Sequence, residues 1–273
     1  MTFPATDLFE RIGLRSCAAS LAGLRDLQAA LMHTIAFENI DPLLGKVPDL
    51  AVHAICNKLI DGRRGGYCFE LNGLLGAAVQ AMEFSPRAVL GRVRMGAPAG
   101  GPRLHLAWIV ALEGREWLVD AGFGGPGAVG PLALMDGIQR DHSGRRFRLN
   151  ADRSSGERVL EVETDGGWFS LYGFDDAVVT DADIGAANFY CARAGASPFP
   201  VNLMLNLYRA DGRVSLFNRQ LKLDANGRNE TWLIESSDDL ASALTGWFGL
   251  YCEPEAVAAA WRRLSYSAEE KAA

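Results

Sequence analysis

Along the first third of the chain, apolar residues return every three or four positions. Leu21, Leu24, Leu27 and Leu31 fall on one face of a helix that Ser20 is placed to cap. Val52, Ile55 and Leu59 mark a second stripe, with Asp49 as its cap and Gly62 just past its end. A third pattern runs from about Cys68 to Met82 and buries Leu71, Leu74, Leu75 and Val79 before Pro86 closes the region. From Arg87 the period shortens to that of strands. Residues 87–95 are β-rich, and 105–112 with 115–123 read as a hairpin turning at Glu113-Gly114. Further strands at 145–150, 158–164 and 167–174 are set off by glycine turns, a pattern suited to a small antiparallel barrel or curled sheet. In the last third, strands at 203–209 and 213–223 flank Asp211-Gly212, 238–248 and 254–264 are helical, and 269–273 is a frayed tail. Helices, then strands, then a mixed segment give an α+β fold class.

The 273 residues leave room for one large domain or two to three small ones, and 49% hydrophobic residues supply a real core. A net charge of −6 argues against nucleic acid or an acidic membrane as the main partner. No apolar run approaches the ~20 residues of a membrane span. Asp7, Glu10 and Arg11 near the start are unlike a signal or transit peptide, so the expected address is the cytoplasm. Five scattered cysteines without a C-x-x-C pair predict no disulfide framework, and four dispersed histidines predict no metal site.

One cysteine has surroundings that the other four lack. Arg63-Arg64-Gly65-Gly66-Tyr67-Cys68 brings two arginines and two glycines to a cysteine at the start of the third helix. The unpaired N–H groups of a helix N-terminus favour a thiolate, so the pKa of Cys68 is expected below the usual ~8.5. The glycines permit close approach of a substrate. Local sequence leaves a second reading open, a buried cysteine at an ordinary loop-to-helix junction.

A nucleophilic cysteine wants a base, and the base wants an orienting acceptor. His105 opens an apolar strand, and Asp120 ends the apolar run Trp117-Leu118-Val119 on its hairpin partner. Lone polar residues in buried strands are expensive unless paired. The hairpin sets His105 near Asp120 at its open end, either as two members of a triad with Cys68 or as a structural hydrogen bond far from any thiol. His33, His53 and His142 read as structural or surface residues.

Together, Arg64-Gly65-Gly66-Tyr67-Cys68-Phe69-Glu70-Leu71-Asn72, Phe37-Glu38-Asn39, His105 and Val119-Asp120-Ala121-Gly122-Phe123-Gly124 resemble the arylamine N-acetyltransferases. The resemblance runs in order from Glu10-Arg11-Ile12-Gly13 to Ser197-Pro198-Phe199. It implies an N-terminal helical bundle (1–85) carrying the nucleophile, a central antiparallel β-barrel (86–190) carrying His and Asp, and a C-terminal α/β lid (191–273). The core it implies is a papain-like Cys-His-Asp set. In that family's terms Cys68 takes the acetyl group from acetyl-CoA, His105 is the base and Asp120 orients it. The implied ping-pong reaction delivers the acetyl group to an arylamine or hydrazine and needs no metal. Phe37, Val93, Phe123, Phe199 and Met204 match the apolar acceptor lining, with core packing an equal reading for Val93 and Met204. Gly122, Phe123 and Gly124 match contacts to the pantetheine arm of the co-substrate. Glu38 and Arg64 match a structural ion pair. Leu104 and Ala36 depart from the family pattern, which often has a small hydroxyl residue and a proline there.

Gly122-x-Gly124-x-x-Gly127 formally fits a dinucleotide fingerprint, but Pro126 and Pro131 prevent the helix that must follow. Two other functions fit the same residues. One is an amide synthase or thiol acyl-hydrolase using another acyl donor, and the other is a non-catalytic binding protein.

Overall fold

The computed structural model describes residues 3–141, 143–225 and 227–270, with side chains through Leu264. Helix α1 (Ala5–Ile12) precedes α2 (Leu21–Thr34), where the Ser20 hydroxyl accepts the Gly23 N–H as the expected cap. A short strand β1 (Phe37–Glu38) and helix α3 (Ile40–Leu43) follow. The second stripe differs in detail. Helix α4 (Val52–Cys56) is capped at Ala51, and Asp49 instead accepts the Ala51 N–H in a turn just upstream. The helix then widens into a π-helical turn over Asn57–Asp61. Helix α5 (Cys68–Ala81) matches the third pattern and is the buried central helix, with Leu74, Leu75 and Val79 fully enclosed.

Strands β2 (Arg87–Val93), β3 (Arg103–Leu112), β4 (Arg115–Val119), β5 (Leu132–Ala133), β6 (Gly137–Arg140), β7 (Arg146–Asp152), β8 (Glu157–Thr164) and β9 (Gly167–Phe174) form one antiparallel sheet. Their spatial order is β5-β4-β3-β2-β9-β8-β7-β6. The β3–β4 hairpin turns at Glu113 and Gly114, both left-handed at φ 54° and 73°, as a type I′ turn requires. The sheet curls until its edges nearly meet. Gln139 of β6 accepts the Ala133 N–H of β5 and donates to its carbonyl, both at 2.8 Å. A side-chain amide thus joins the two edges and makes the sheet barrel-like.

Helix α6 (Asp181–Arg193) is absent from the hydrophobic periodicity, for a physical reason. Its buried face is Ala187, Asn188, Cys191 and Ala192, too small and polar to read as a stripe, although Thr180 and Asp183 form a capping box. Strands β10 (Met204–Arg209), β11 (Gly212–Phe217), β12 (Gln220–Ala225) and β13 (Arg228–Leu233) follow. The segment expected as one strand over 213–223 turns back at Asn218, where φ is 54°, and becomes β11 and β12. β13 is exposed along its length, so it has no apolar alternation to detect. β1 pairs with β10, so an N-terminal segment completes the C-terminal sheet β1-β10-β11-β12-β13. Ile40 and Leu43 share a core there with Leu205, Leu216 and residues of α7 (Ser237–Phe248) and α8 (Pro254–Glu270). The expected frayed tail begins inside α8, and its last three residues, with His142, lie outside the described residues. Among the described residues no helix is long and apolar enough to cross a membrane.

Candidate active site

Cys68 is the first residue of α5, buried at the end of the central helix. The glycines before it serve the chain's own packing rather than a substrate's approach. A Cβ on Gly65 would stand 2.1 Å from the Ala36 carbonyl oxygen, and one on Gly66 would stand 2.7 Å from the Glu70 Cβ. Asp120, one residue past β4, meets His105 of β3 across the open end of the hairpin, Oδ2 to Nε2 at 2.7 Å. Tyr172 of β9 donates to the same oxygen at 2.8 Å, and Asn72 Nδ2 and the Gly122 N–H donate to Oδ1 at 2.9 Å each. Burial pushes the Asp120 carboxyl up, but His105, Asn72 and Gly122 outweigh it and hold its pKa below the ordinary carboxylate value. With Nε2 engaged by Asp120, Nδ1 is the ring nitrogen left to act on a neighbour.

The expected depression of the thiol is not found. Burial pushes the Cys68 thiol well up, Cys191 and Asp120 add to that, and backbone hydrogen bonds at Leu106 and Phe69 only partly offset it. Neither arginine helps. Arg63 is exposed, and Arg64 is held by Glu38 at 2.6 Å. The proton of Cys68 therefore needs a local acceptor. A second thiol, Cys191 of α6, directs its Sγ to the Leu104 carbonyl at 3.7 Å, and Cys68 reaches the same oxygen at 3.8 Å. Burial pushes Cys191 up to about 12.

A cavity of about 320 Å³ opens onto both Cys68 and His105. Phe37, Val93, Phe199 and Met204 line it, as do Gly122, Phe123 and Gly124. The Gly122 N–H is already committed to Asp120, and a Cβ on Gly122 would stand 2.9 Å from the Cys68 Cα. Sequence reasoning missed Tyr190 and Cys191, which enter the lining from α6, and Met95, which follows β2. The small buried face of α6 hid the first two. A larger cleft of about 910 Å³ adjoins the cavity at Met95 but holds neither Cys68, His105 nor Asp120.

Behind the nucleophile lies a partly buried ionic cluster. Arg64 pairs with Glu38, and Lys58 lies 2.7 Å from both Glu70 and Asp41. The other Glu70 oxygen accepts the Tyr67 N–H at 3.2 Å, immediately before Cys68. Burial pushes Glu70 up to about 7, with Lys58 opposing and Glu38 and Asp41 adding to the rise. A raised folded pKa means stability that is complete below the unfolded carboxylate value and is lost as pH rises through about 7. Glu70→Gln is therefore expected to flatten the fall in melting temperature between pH 5 and 8. A slope equal to that of the wild type would assign the titration to another group.

Residues 20–257 match the family model described as N-acetyltransferase. The arylamine N-acetyltransferase of Mycolicibacterium smegmatis is 32% identical over 84% of this chain and 85% of its own length. This chain belongs to the arylamine N-acetyltransferase family. Family members are acyltransferases, and the likeness extends over the whole fold. The solved arylamine N-acetyltransferase of Salmonella typhimurium has a TM-score of 0.89 at 30% identity, covering 96% of this chain and 98% of that one. The Mycobacterium marinum family member solved in complex with CoA has a TM-score of 0.87 at 32% identity, covering 95% and 98%. Among the described residues of the present chain, no group of three or more metal-ligating side chains comes together.

Proposed function

We propose that this enzyme transfers the acetyl group of acetyl-CoA to arylamines or hydrazines by a ping-pong route through an acetyl-cysteine on Cys68. The observation that carries the proposal is the meeting, at one apolar cavity, of a buried thiol and an imidazole whose far nitrogen is fixed by a carboxylate at 2.7 Å. His105 Nδ1 takes the Cys68 proton as the sulfur attacks the thioester carbonyl. The CoA thiolate leaves and recovers that proton from the imidazolium. An amine nitrogen then attacks the acetyl-cysteine, gives its proton to His105, and releases Cys68 as the amide forms. Because burial disfavours a lone thiolate, the reactive species is the thiolate–imidazolium pair, and the ionised Asp120 stabilises its positive member. Thioester exchange preserves the donor's reactivity, so each half-reaction runs without a high-energy trap.

The CoA complex of the Mycobacterium marinum relative supports acetyl-CoA as donor. In this reading Gly122, Phe123 and Gly124, which line the cavity, lie beside the pantetheine arm of the donor. The walls formed by Phe37, Val93, Phe123, Phe199 and Met204 suit a flat aromatic amine. Parts 1–85, 86–190 and 191–273 then supply nucleophile, base with orienter, and lid. A cytoplasmic setting agrees with five unpaired cysteines.

The test is intact mass after brief incubation with acetyl-CoA and no acceptor. One acetyl adduct is expected, discharged by adding 4-methoxyaniline or a simple hydrazide. No adduct on a protein whose Cys68 still reacts with iodoacetamide would transfer the triad to another acyl donor, as in an amide synthase or thiol hydrolase.

A further inference from the structure

The segment from Asp120 to Val129 is the partition between the two openings. It sets Gly122 and Gly125 on the wall of the cavity, and Pro126 and Val129 on the wall of the larger cleft. Its sequence from 122 to 127, Gly-Phe-Gly-Gly-Pro-Gly, has four glycines in six residues and so little stiffness of its own. Yet three side chains from distant parts of the chain hold its carbonyl oxygens. Gln28 of α2 donates through Nε2 to the carbonyls of Asp120 and Ala128, both at 3.0 Å, and so grips both ends. Arg145, just ahead of β7, donates to Gly127 at 3.2 Å and Pro126 at 3.0 Å. The Tyr208 hydroxyl of β10 lies 2.9 Å from the carbonyl oxygens of both Gly125 and Gly127. Arg145 and Tyr208 line the cleft, so they hold the segment from the side away from Cys68.

We infer that Gln28, Arg145 and Tyr208 are positioning residues that hold the 120–128 segment by its carbonyls and thereby set the width of the cavity wall facing Cys68. The inference rests on the proposed reading of that cavity as the place where donor and acceptor meet. Its physical basis is preorganisation. A glycine-rich wall left free would have to be ordered by each substrate in turn, at a cost in binding. Gln28 does a further task, because its Oε1 accepts the Asp120 N–H at 3.4 Å and so holds the orienting residue by both backbone groups. Tyr208 meets the segment beside Arg145 and carries its restraint from the C-terminal sheet.

Tyr208→Phe is the cleanest test, because it removes one donor and keeps the ring. In single-turnover acetylation of Cys68, the half-saturating acetyl-CoA concentration is expected to rise about tenfold, the effect of losing one good hydrogen bond, while the limiting rate changes less than about twofold. Iodoacetamide needs no wall, so its rate with Cys68 should stay within about twofold, whereas the preference for N-phenyl iodoacetamide over iodoacetamide should fall. Gln28→Leu should do the same and also shift the pH profile of alkylation, because Asp120 loses both backbone partners. Tyr208→Phe with unchanged half-saturation and unchanged reagent preference would overturn the inference. So would an equal loss on iodoacetamide, which would indicate general damage. A wild-type protein that resists acetyl-CoA would overturn the donor reading instead, and the reagent preference would still judge the wall.

Discussion

Cys68→Ala is expected to lower acetyl transfer by on the order of 10⁴-fold or more, with the fold retained and the melting temperature within about 3 °C of wild type. The large loss follows from the route, in which the acetyl group rests on Cys68 and removing Sγ removes both half-reactions. The small change in stability follows from burial. The thiol is enclosed and its ionisation is opposed by its surroundings, so alanine deletes one weakly bonded sulfur without leaving a charge unpaired. The variant is a demanding test because a second thiol remains at the cavity. Cys191 shares the Leu104 carbonyl with Cys68 and burial raises both thiols, so position separates them: Cys191 lies near the end of α6, whereas Cys68 begins α5 beside the His105–Asp120 pair. Single-turnover acetylation followed by peptide mass spectrometry distinguishes the two thiols. An acetyl group on Cys191 in the variant, with turnover retained, would move the nucleophile to α6.

Much of this site was legible because its residues broke local rules. His105 and Asp120 interrupt apolar strands, and a two-residue turn at Glu113-Gly114 fixes the register that brings them together. Leucine spacing gave α2 and α5, and with α5 the place of Cys68. Other parts were hidden for identifiable reasons. α6 buries mainly small residues, so neither the helix nor the contributions of Tyr190 and Cys191 to the cavity could be read from hydrophobic period. The electrostatics of Cys68 were misjudged because a helix N-terminus is visible in sequence and its burial is not. Arg64 is held by Glu38, 26 positions away, a pairing that the family resemblance implied and that the residues around Cys68 do not show by themselves. The carbonyl restraints on the 120–128 segment come from residues 28, 145 and 208, a convergence that no local pattern records.

Asp120→Asn should be nearly as damaging to activity as loss of the nucleophile, at about 10⁴-fold, but with a different signature. Four donors converge on the carboxylate, two on each oxygen. Asparagine offers one oxygen and one NH₂ group. If the NH₂ faces Asn72 and Gly122, two buried donors lose their acceptor. If it faces His105 and Tyr172, the hydroxyl can turn and the imidazole can accept at Nε2, which costs less. That arrangement puts the ring proton on Nδ1, so His105 can no longer take the proton of Cys68. The second orientation is therefore expected, with catalysis lost and stability lowered by about 1–3 kcal/mol. The pH dependence supplies an independent reading. Asp120 has a depressed folded pKa, so its stabilisation is present above the unfolded value of about 3.9 and is lost as pH falls through the folded value. The gap in melting temperature between wild type and variant should be widest above about pH 4 and close below it. A variant that melts lower at every pH yet keeps its rate would give Asp120 a packing role alone, and His105 would then hold its working tautomer without it.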